Sequence, residues 1–192
     1  GNVIATTLTD ADGCYKFDNL PPGTYKVRET QPDGFFHGGQ VVGTLGGRIV
    51  AFDNIGEIDV EGGDVGVEYN FPELPPATIS GYVFQDGDAL VMSEAPDPLQ
   101  LREFRDGELT VDDSRINSVT LELRDVTGNL IDALTDQIGN NSGEIRVTTD
   151  ANGYYEFTGL RPTRSYSVYQ TQPTDFIDSL DTPGTTGGLA VN

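Results

Sequence analysis

The stretch Thr149–Leu160, TDANGYYEFTGL, decides how this chain is read, because it occurs twice. Thr9–Leu20, TDADGCYKFDNL, lies 140 residues earlier in a chain of 192 and keeps the Thr, Asp, Ala, Gly, Tyr, Phe and Leu positions. Self-similarity at a fixed spacing is the mark of a repeated structural unit. Each copy reads as strand, turn, strand. Asp150 is placed to fold its carboxylate onto the amides that follow it. Asn152-Gly153 is expected to supply the positive-φ positions of a hairpin turn. Beyond the turn, Tyr155 and Phe157 share one face and Tyr154 and Glu156 the other; Tyr15 and Phe17 are the matching pair in the first copy.

The likeness continues past the phrase. PPGTYKVRETQPDGF (Pro21–Phe35) faces RPTRSYSVYQTQPTDF (Arg161–Phe176), and VGTLGG (Val42–Gly47) faces PGTTGG (Pro183–Gly188). A unit of about 140 residues suits one β-sandwich domain. The chain is out of phase with that unit. Residues 1–76 read as the later part of one module and residues 77–192 as the earlier part of the next. FPELPPATIS (Phe71–Ser80) is the junction, and Pro75-Pro76 favours an extended, stiff link. On this reading each half lacks strands, and an unpaired sheet edge can accept a strand from a neighbour.

Alternation at period two dominates elsewhere. In TYKVRET, Tyr25 and Val27 share a face. In SVTLELRD, Val119, Leu121 and Leu123 lie opposite Thr120, Glu122 and Arg124. GEIRVTT aligns Ile145 and Val147. IGEIDVEGGDVGVEYNF predicts two strands, Ile55–Val60 and Val65–Phe71, about the turn Glu61–Asp64. The segment ATISGYVFQD opens the second unit. Helical periodicity is nowhere sustained over ten residues.

Composition narrows the functions. The chain holds 11 basic and 31 acidic residues, a formal charge of -20. Phosphate binding needs a basic face, so nucleic acid is not an expected partner, and no apolar run is long enough to insert in a membrane. Cys14 is the single cysteine and His37 the single histidine. An intrachain disulfide, a CxxC site, a His-dependent triad and a multi-histidine metal site are therefore excluded. No nucleophile, base and orienting group can be assembled, and no enzyme is expected.

Taken together, the two copies resemble the SdrD B-like and Cna B-type modules of bacterial surface proteins. TDADGCYKFDNLPPGTYKVRETQPDGF carries most of that resemblance, with ISGYVFQDGDA and INSVTLELRDVTGNLI resembling the opening strands. The resemblance implies an all-β chain of tandem immunoglobulin-like (prealbumin-like) Greek-key β-sandwiches. It also implies an extracellular, cell-surface protein used as a stalk, adhesin or fibre, whose partners are neighbouring modules or other copies of the chain. Two chemistries come with it. For the Lys–Asn isopeptide bond of Cna B-type modules, the acid position in RETQP is Glu29; the second copy has Gln170 there, and residues 77–192 contain no lysine, so the bond is not expected. For the calcium site of SdrD B-like modules, the matching acids are Asp86, Asp88, Asp106, Glu108, Asp112 and Asp113. A calcium ion needs six to eight oxygens, and clustered carboxylates supply them. Arg102, Arg105 and Arg115 could instead neutralise this acidic segment, residues 86–113. The rival expectation is an adhesive module that contacts a protein or glycan through that insertion.

Overall fold

The computed structural model describes residues 2–87, 106–111, 113–140, 143–176 and 178–191. It divides into two compact units, Gly1–Leu74 and Pro75–Asn192. The division falls just before Pro75-Pro76, where the sequence places the stiff link. Both units are built from antiparallel strands.

Unit 2 is a sandwich of two small sheets. In one, β9 (Thr120–Arg124) lies between β10 (Arg146–Thr148) and β12 (Ser167–Gln170). In the other, β6 (Ala77–Tyr82) pairs with β11 (Tyr154–Leu160). The alternating faces meet in one core: Val119, Leu121 and Leu123 pack with Ile145, Phe157 and Leu160, with Ile79 and Val147 beside them. Leu123, Phe157 and Leu160 are wholly buried. The single helical turn α1 (Ala133–Asp136) is capped by Asp132, whose carboxylate accepts the Leu134 amide at 3.0 Å. Asp136 is buried and receives Arg161 and Arg164. A short pair, β7 (Phe84–Gln85) with β8 (Ser114–Arg115), completes the unit's strands among the described residues.

In unit 1, β4 (Asn54–Val60) lies between β1 (Gly23–Arg28) and β3 (Arg48–Ala51). A second pair joins β2 (Phe36–His37) to β5 (Glu73–Leu74). Its core is smaller. Ile55, Ile58 and Tyr69 are buried, with Tyr15, Tyr25 and Val27 packed against them.

The repeated phrase forms a corner rather than the expected hairpin. The Asp150 carboxylate accepts the amides of Asn152 at 2.8 Å and Tyr154 at 3.0 Å. Asp10 does the same for Asp12 at 3.0 Å and Cys14 at 2.9 Å. Each aspartate also exchanges backbone bonds across the turn, Asp150 with Tyr154 and Gly153, Asp10 with Cys14 and Gly13. Of the Asn152-Gly153 pair only the glycine has positive φ, +68°, and Gly13 matches it at +78°. The strands then part company: β10 pairs with β9 in one sheet and β11 with β6 in the other. The sheet-forming side chains, not the turn, choose these partners. Phe157 can reach the core only from the sheet opposite Leu121 and Leu123.

Two further expectations are corrected. Val65–Phe71 does not return along β4 as a strand. It follows residues 41–44 instead, through the bridge Val41–Asn70 and the bond from the Thr44 amide to the Val67 carbonyl at 2.9 Å. On the face of β9 opposite Leu121 and Leu123, Glu122 is also buried, under Arg124 and Arg146, whose hydrogen bonds hold its carboxyl below the usual range against the opposing effect of burial. In the first copy, Tyr15 packs on the small core and Phe17 meets its ring, but residues 14–20 pair with no strand among the described residues.

The difference between the copies has a measurable consequence. Phe157 is fully buried and Phe17 only half-buried. Phe157→Ala is expected to cost about 3–5 kcal/mol, and Phe17→Ala about 1–2 kcal/mol, because a ring that is only partly buried loses less burial. Denaturant unfolding resolved by hydrogen exchange in each unit checks this; equal costs would contradict it.

Candidate functional site

The β7–β8 pairing explains why two of the sequence-selected acids meet. Gln85 lies opposite Ser114, so the next residues outward, Asp86 and Asp113, flank the same end of the pair. Asp113 accepts the Gly87 amide at 2.9 Å and the Thr110 amide at 2.6 Å, and Thr110 Oγ1 donates to it at 3.1 Å. Burial pushes its carboxyl up, but the Thr110 and Gly87 amides outweigh this and hold it below the usual range. Asp86 accepts the Gly107 amide at 3.2 Å and the Ser179 hydroxyl at 2.9 Å. Asp106 caps the Glu108 amide at 2.8 Å, and the Glu108 side chain is exposed. These bonds make an acidic corner whose carboxylates are already engaged by N–H and O–H donors. Among the described residues, no three of His, Cys, Asp and Glu converge closely enough to hold a metal ion. Asp88 and Asp112, with most of the insertion, Arg102 and Arg105 included, lie outside the described residues. Arg115 stacks on Tyr82, its guanidinium 5.2 Å from the ring centre.

A second cluster forms in unit 1 around Glu29, at the end of β1. Sequence reasoning singled out Glu29 but not the residues that surround it. Glu73 comes from β5, His37 from β2, and Asp53 from the β3–β4 turn. The Glu29 amide bonds the Asp53 carbonyl at 2.9 Å, and His37 Nδ1 lies 2.7 Å from Asp53 Oδ1. Gln31 donates to Glu73 Oε2. Glu29 Oε2 and Glu73 Oε1 are both buried without a donor. A buried carboxyl beside other negative charges resists ionisation. Burial first, then the Glu73 and Asp53 charges, raise the Glu29 carboxyl to about 7, with His37 opposing. The signal in the sequence was the RETQP phrase alone; its acidic neighbours converge through the β2–β5 pairing and the β3–β4 turn. At the equivalent position of unit 2, Gln170 is exposed and its amide donates to Gln172 at 3.4 Å. Lys16 is exposed and paired with Asp18 at 2.7 Å, and Lys26 is exposed.

Glu29 also borders a groove of about 1420 Å3 in unit 1. The first-copy phrase forms one side and residues 63–72 another, with Tyr25, Val27 and Ile58 at its floor. Tyr15 reaches across it, donating its hydroxyl to the Tyr69 carbonyl at 2.5 Å.

The SdrD B-like domain family matches residues 1–45, the stretch holding the Asp10 corner, β1 and Glu29. That stretch is similar to an SdrD B-like domain. Serine-aspartate repeat-containing protein D of Staphylococcus aureus (strain Newman) is 28% identical over 198 residues, covering 100% of this chain. The strain MW2 protein of that name is equally similar. Serine-aspartate repeat-containing protein F of Staphylococcus epidermidis (strain ATCC 12228 / FDA PCI 1200) is 26% identical over 177 residues, 90% of this chain. The chain spans 12% of the length of the first two proteins and 9% of the third. No solved structure matches it. Among the described residues no helix is long and apolar enough to cross a membrane.

The raised Glu29 carboxyl sets a pH dependence. Between the ordinary value of 4.5 and about 7 the folded state holds a proton that the unfolded state releases, so unit 1 loses stability as pH rises through that window. Glu29→Gln is expected to raise the melting temperature of unit 1 at pH 8 and to leave it nearly unchanged at pH 4. Melts across this range check it; a gain of equal size at both pH values would contradict the raised Glu29 carboxyl.

Proposed function

We propose that this chain is a non-enzymatic structural segment of a large extracellular bacterial surface protein, forming a stiff stalk or filament in which units are completed by strands from their neighbours. The observation that carries this reading is the repeated phrase, which builds the same aspartate-capped corner in both units. Repetition of a sandwich along one chain makes length and stiffness from a single solution to the packing problem. Support also comes from the relatives, whose names describe repeat-containing proteins of staphylococci and no catalytic activity. A charge of -20 keeps such an array soluble and resists collapse of one unit on another. Single-molecule pulling on residues 1–192 between terminal handles tests the mechanical role. The expected trace has a distinct rupture peak from unit 2, where β6 and β11 must be separated. Smooth extension without a peak would sink the reading.

Calcium is the cation this proposal assigns to the acidic corner. The support is the convergence of Asp86 and Asp113 at the end of the β7–β8 pair, in a segment whose sequence also holds Asp88, Asp106 and Asp112. An ion that binds only the folded state raises its stability. Calcium is therefore expected to raise the melting temperature of unit 2 over that in chelator, and identical melts would rule calcium out of the proposed function.

A further inference from the structure

Across the corner itself, TDADG and TDANG, the two copies differ at one position. Asp12-Gly13 stands where the second copy has Asn152-Gly153, the single Asn-Gly pair in the chain. Asparagine before glycine is the pair most prone to lose its side-chain amide, because a nitrogen with no Cβ beside it reaches the asparagine Cγ freely. Asn152 is exposed, and its carboxamide has no hydrogen-bond partner among the described residues. Its neighbour is held. Gly153 is buried; its amide donates to the Asp150 carbonyl at 3.0 Å and its carbonyl accepts the Val83 amide at 2.8 Å. On either side, the amides of Asn152 and Tyr154 donate to the Asp150 carboxylate.

We propose that Asn152 is a deamidation site that the corner keeps shut while unit 2 is folded and that opens when the unit unfolds. The chemistry needs only water. In the open chain the Gly153 nitrogen gives its proton to water and bonds to Asn152 Cγ, and ammonia leaves. The cyclic imide so formed joins that nitrogen to both carbonyl carbons of residue 152. Water then breaks one of the two bonds. Breaking the bond to Cγ leaves aspartate in an ordinary main chain. Breaking the bond to the main-chain carbonyl carbon leaves isoaspartate, with the chain routed through Cβ and Cγ and one atom longer. In the folded corner the nucleophile is occupied. Its proton is committed to the Asp150 carbonyl, and ring closure would turn the peptide out of that bond. The reaction therefore waits on opening, and its rate follows the fraction of molecules that are open.

The two products meet different fates. The first copy is itself the aspartate form: Asp10 holds the amides of Asp12 and Cys14 at 3.0 Å and 2.9 Å, with Gly13 at φ +78°. Aspartate at position 152 is therefore compatible with the corner. Isoaspartate is not. Its extra atom falls between the two amides that share the Asp150 carboxylate, so both bonds cannot form together. The turn has no slack to absorb it, since even a Cβ on Gly153 would stand 2.4 Å from the Val83 carbonyl oxygen. β11 then loses its entry to the second sheet. A unit that stays open long enough to react by this route does not close again. The inference goes beyond the stalk reading and does not rest on it.

The test incubates the whole chain, residues 1–192, at neutral pH in native buffer and in denaturing guanidinium. Peptide mass mapping that separates aspartate from isoaspartate follows position 152. Deamidation there is expected to be slower in native buffer by about tenfold or more. After return from guanidinium, molecules carrying aspartate at 152 are expected to regain the melt of unit 2, and those carrying isoaspartate to have lost it. Asn152→Asp is expected to melt like the parent. Asn152→Gln, whose longer side chain closes the imide ring far more slowly, is expected to keep its refolding through the same incubation. Equal rates in the two solvents would overturn the proposal, and so would isoaspartate molecules that refold with an unchanged melt. Loss of refolding by Asn152→Gln would also overturn it, because the damage would then lie elsewhere. None of these outcomes bears on the pulling or calcium experiments, so the readings fail separately.

Discussion

The carboxylate of Asp150 holds the amides of Asn152 and Tyr154, and the architecture of unit 2 depends on the corner so made. A chain leaving β10 must cross from one sheet to the other without stranding polar backbone in the core. The aspartate satisfies two amides, the Gly153 left-handed turn reverses direction, and β11 enters the second sheet with Phe157 aimed at Leu121 and Leu123. A left-handed backbone there suits glycine because it lacks a Cβ; at Gly153 a Cβ would also stand 2.4 Å from the Val83 carbonyl oxygen. Asp10 and Gly13 repeat the device in unit 1. The corner is local and self-sufficient. The strand after the corner is neither, because only a partner strand completes it.

This distinction accounts for what could be read from the sequence and what could not. Period-two alternation located β1, β9, β10 and β11, because each has one face in a core and the signal is local. The corner residues were legible for the same reason. The pairing of those strands was not, and a hairpin was the natural expectation for Asn-Gly between two alternating runs. Whether β11 turns back on β10 or crosses to β6 is decided by Phe157 and Ile79, which are 78 residues apart. Val65–Phe71 shows the opposite error. Its alternation is real, but it serves Tyr69 and Phe71, which pack on the small core from an irregular segment.

The acidic positions divide in the same way. Asp86 and Asp113 were selected as part of one acidic segment, and the β7–β8 register brings them together. Glu29 was selected by its phrase alone. Its companions Glu73, Asp53 and His37 come from three separate places in unit 1, and no spacing rule links them. The buried face of Glu122 was likewise invisible, since it depends on Arg146 from the adjacent strand and on Arg124 stacked over Tyr169 at 4.5 Å. Charge pairs that form across strands leave no periodic trace in a sequence.

Two matching corners therefore lead to different ends: a paired strand in unit 2 and, among the described residues, an unpaired segment in unit 1. Native-state hydrogen exchange on residues 1–192 measures this asymmetry directly, because amides in a sheet exchange only through opening of that structure. The amides of 154–160 that bond to β6 are predicted to exchange slowly, and those of 15–20 at close to the rate of an unstructured peptide. Equal protection of the two segments would contradict the asymmetry.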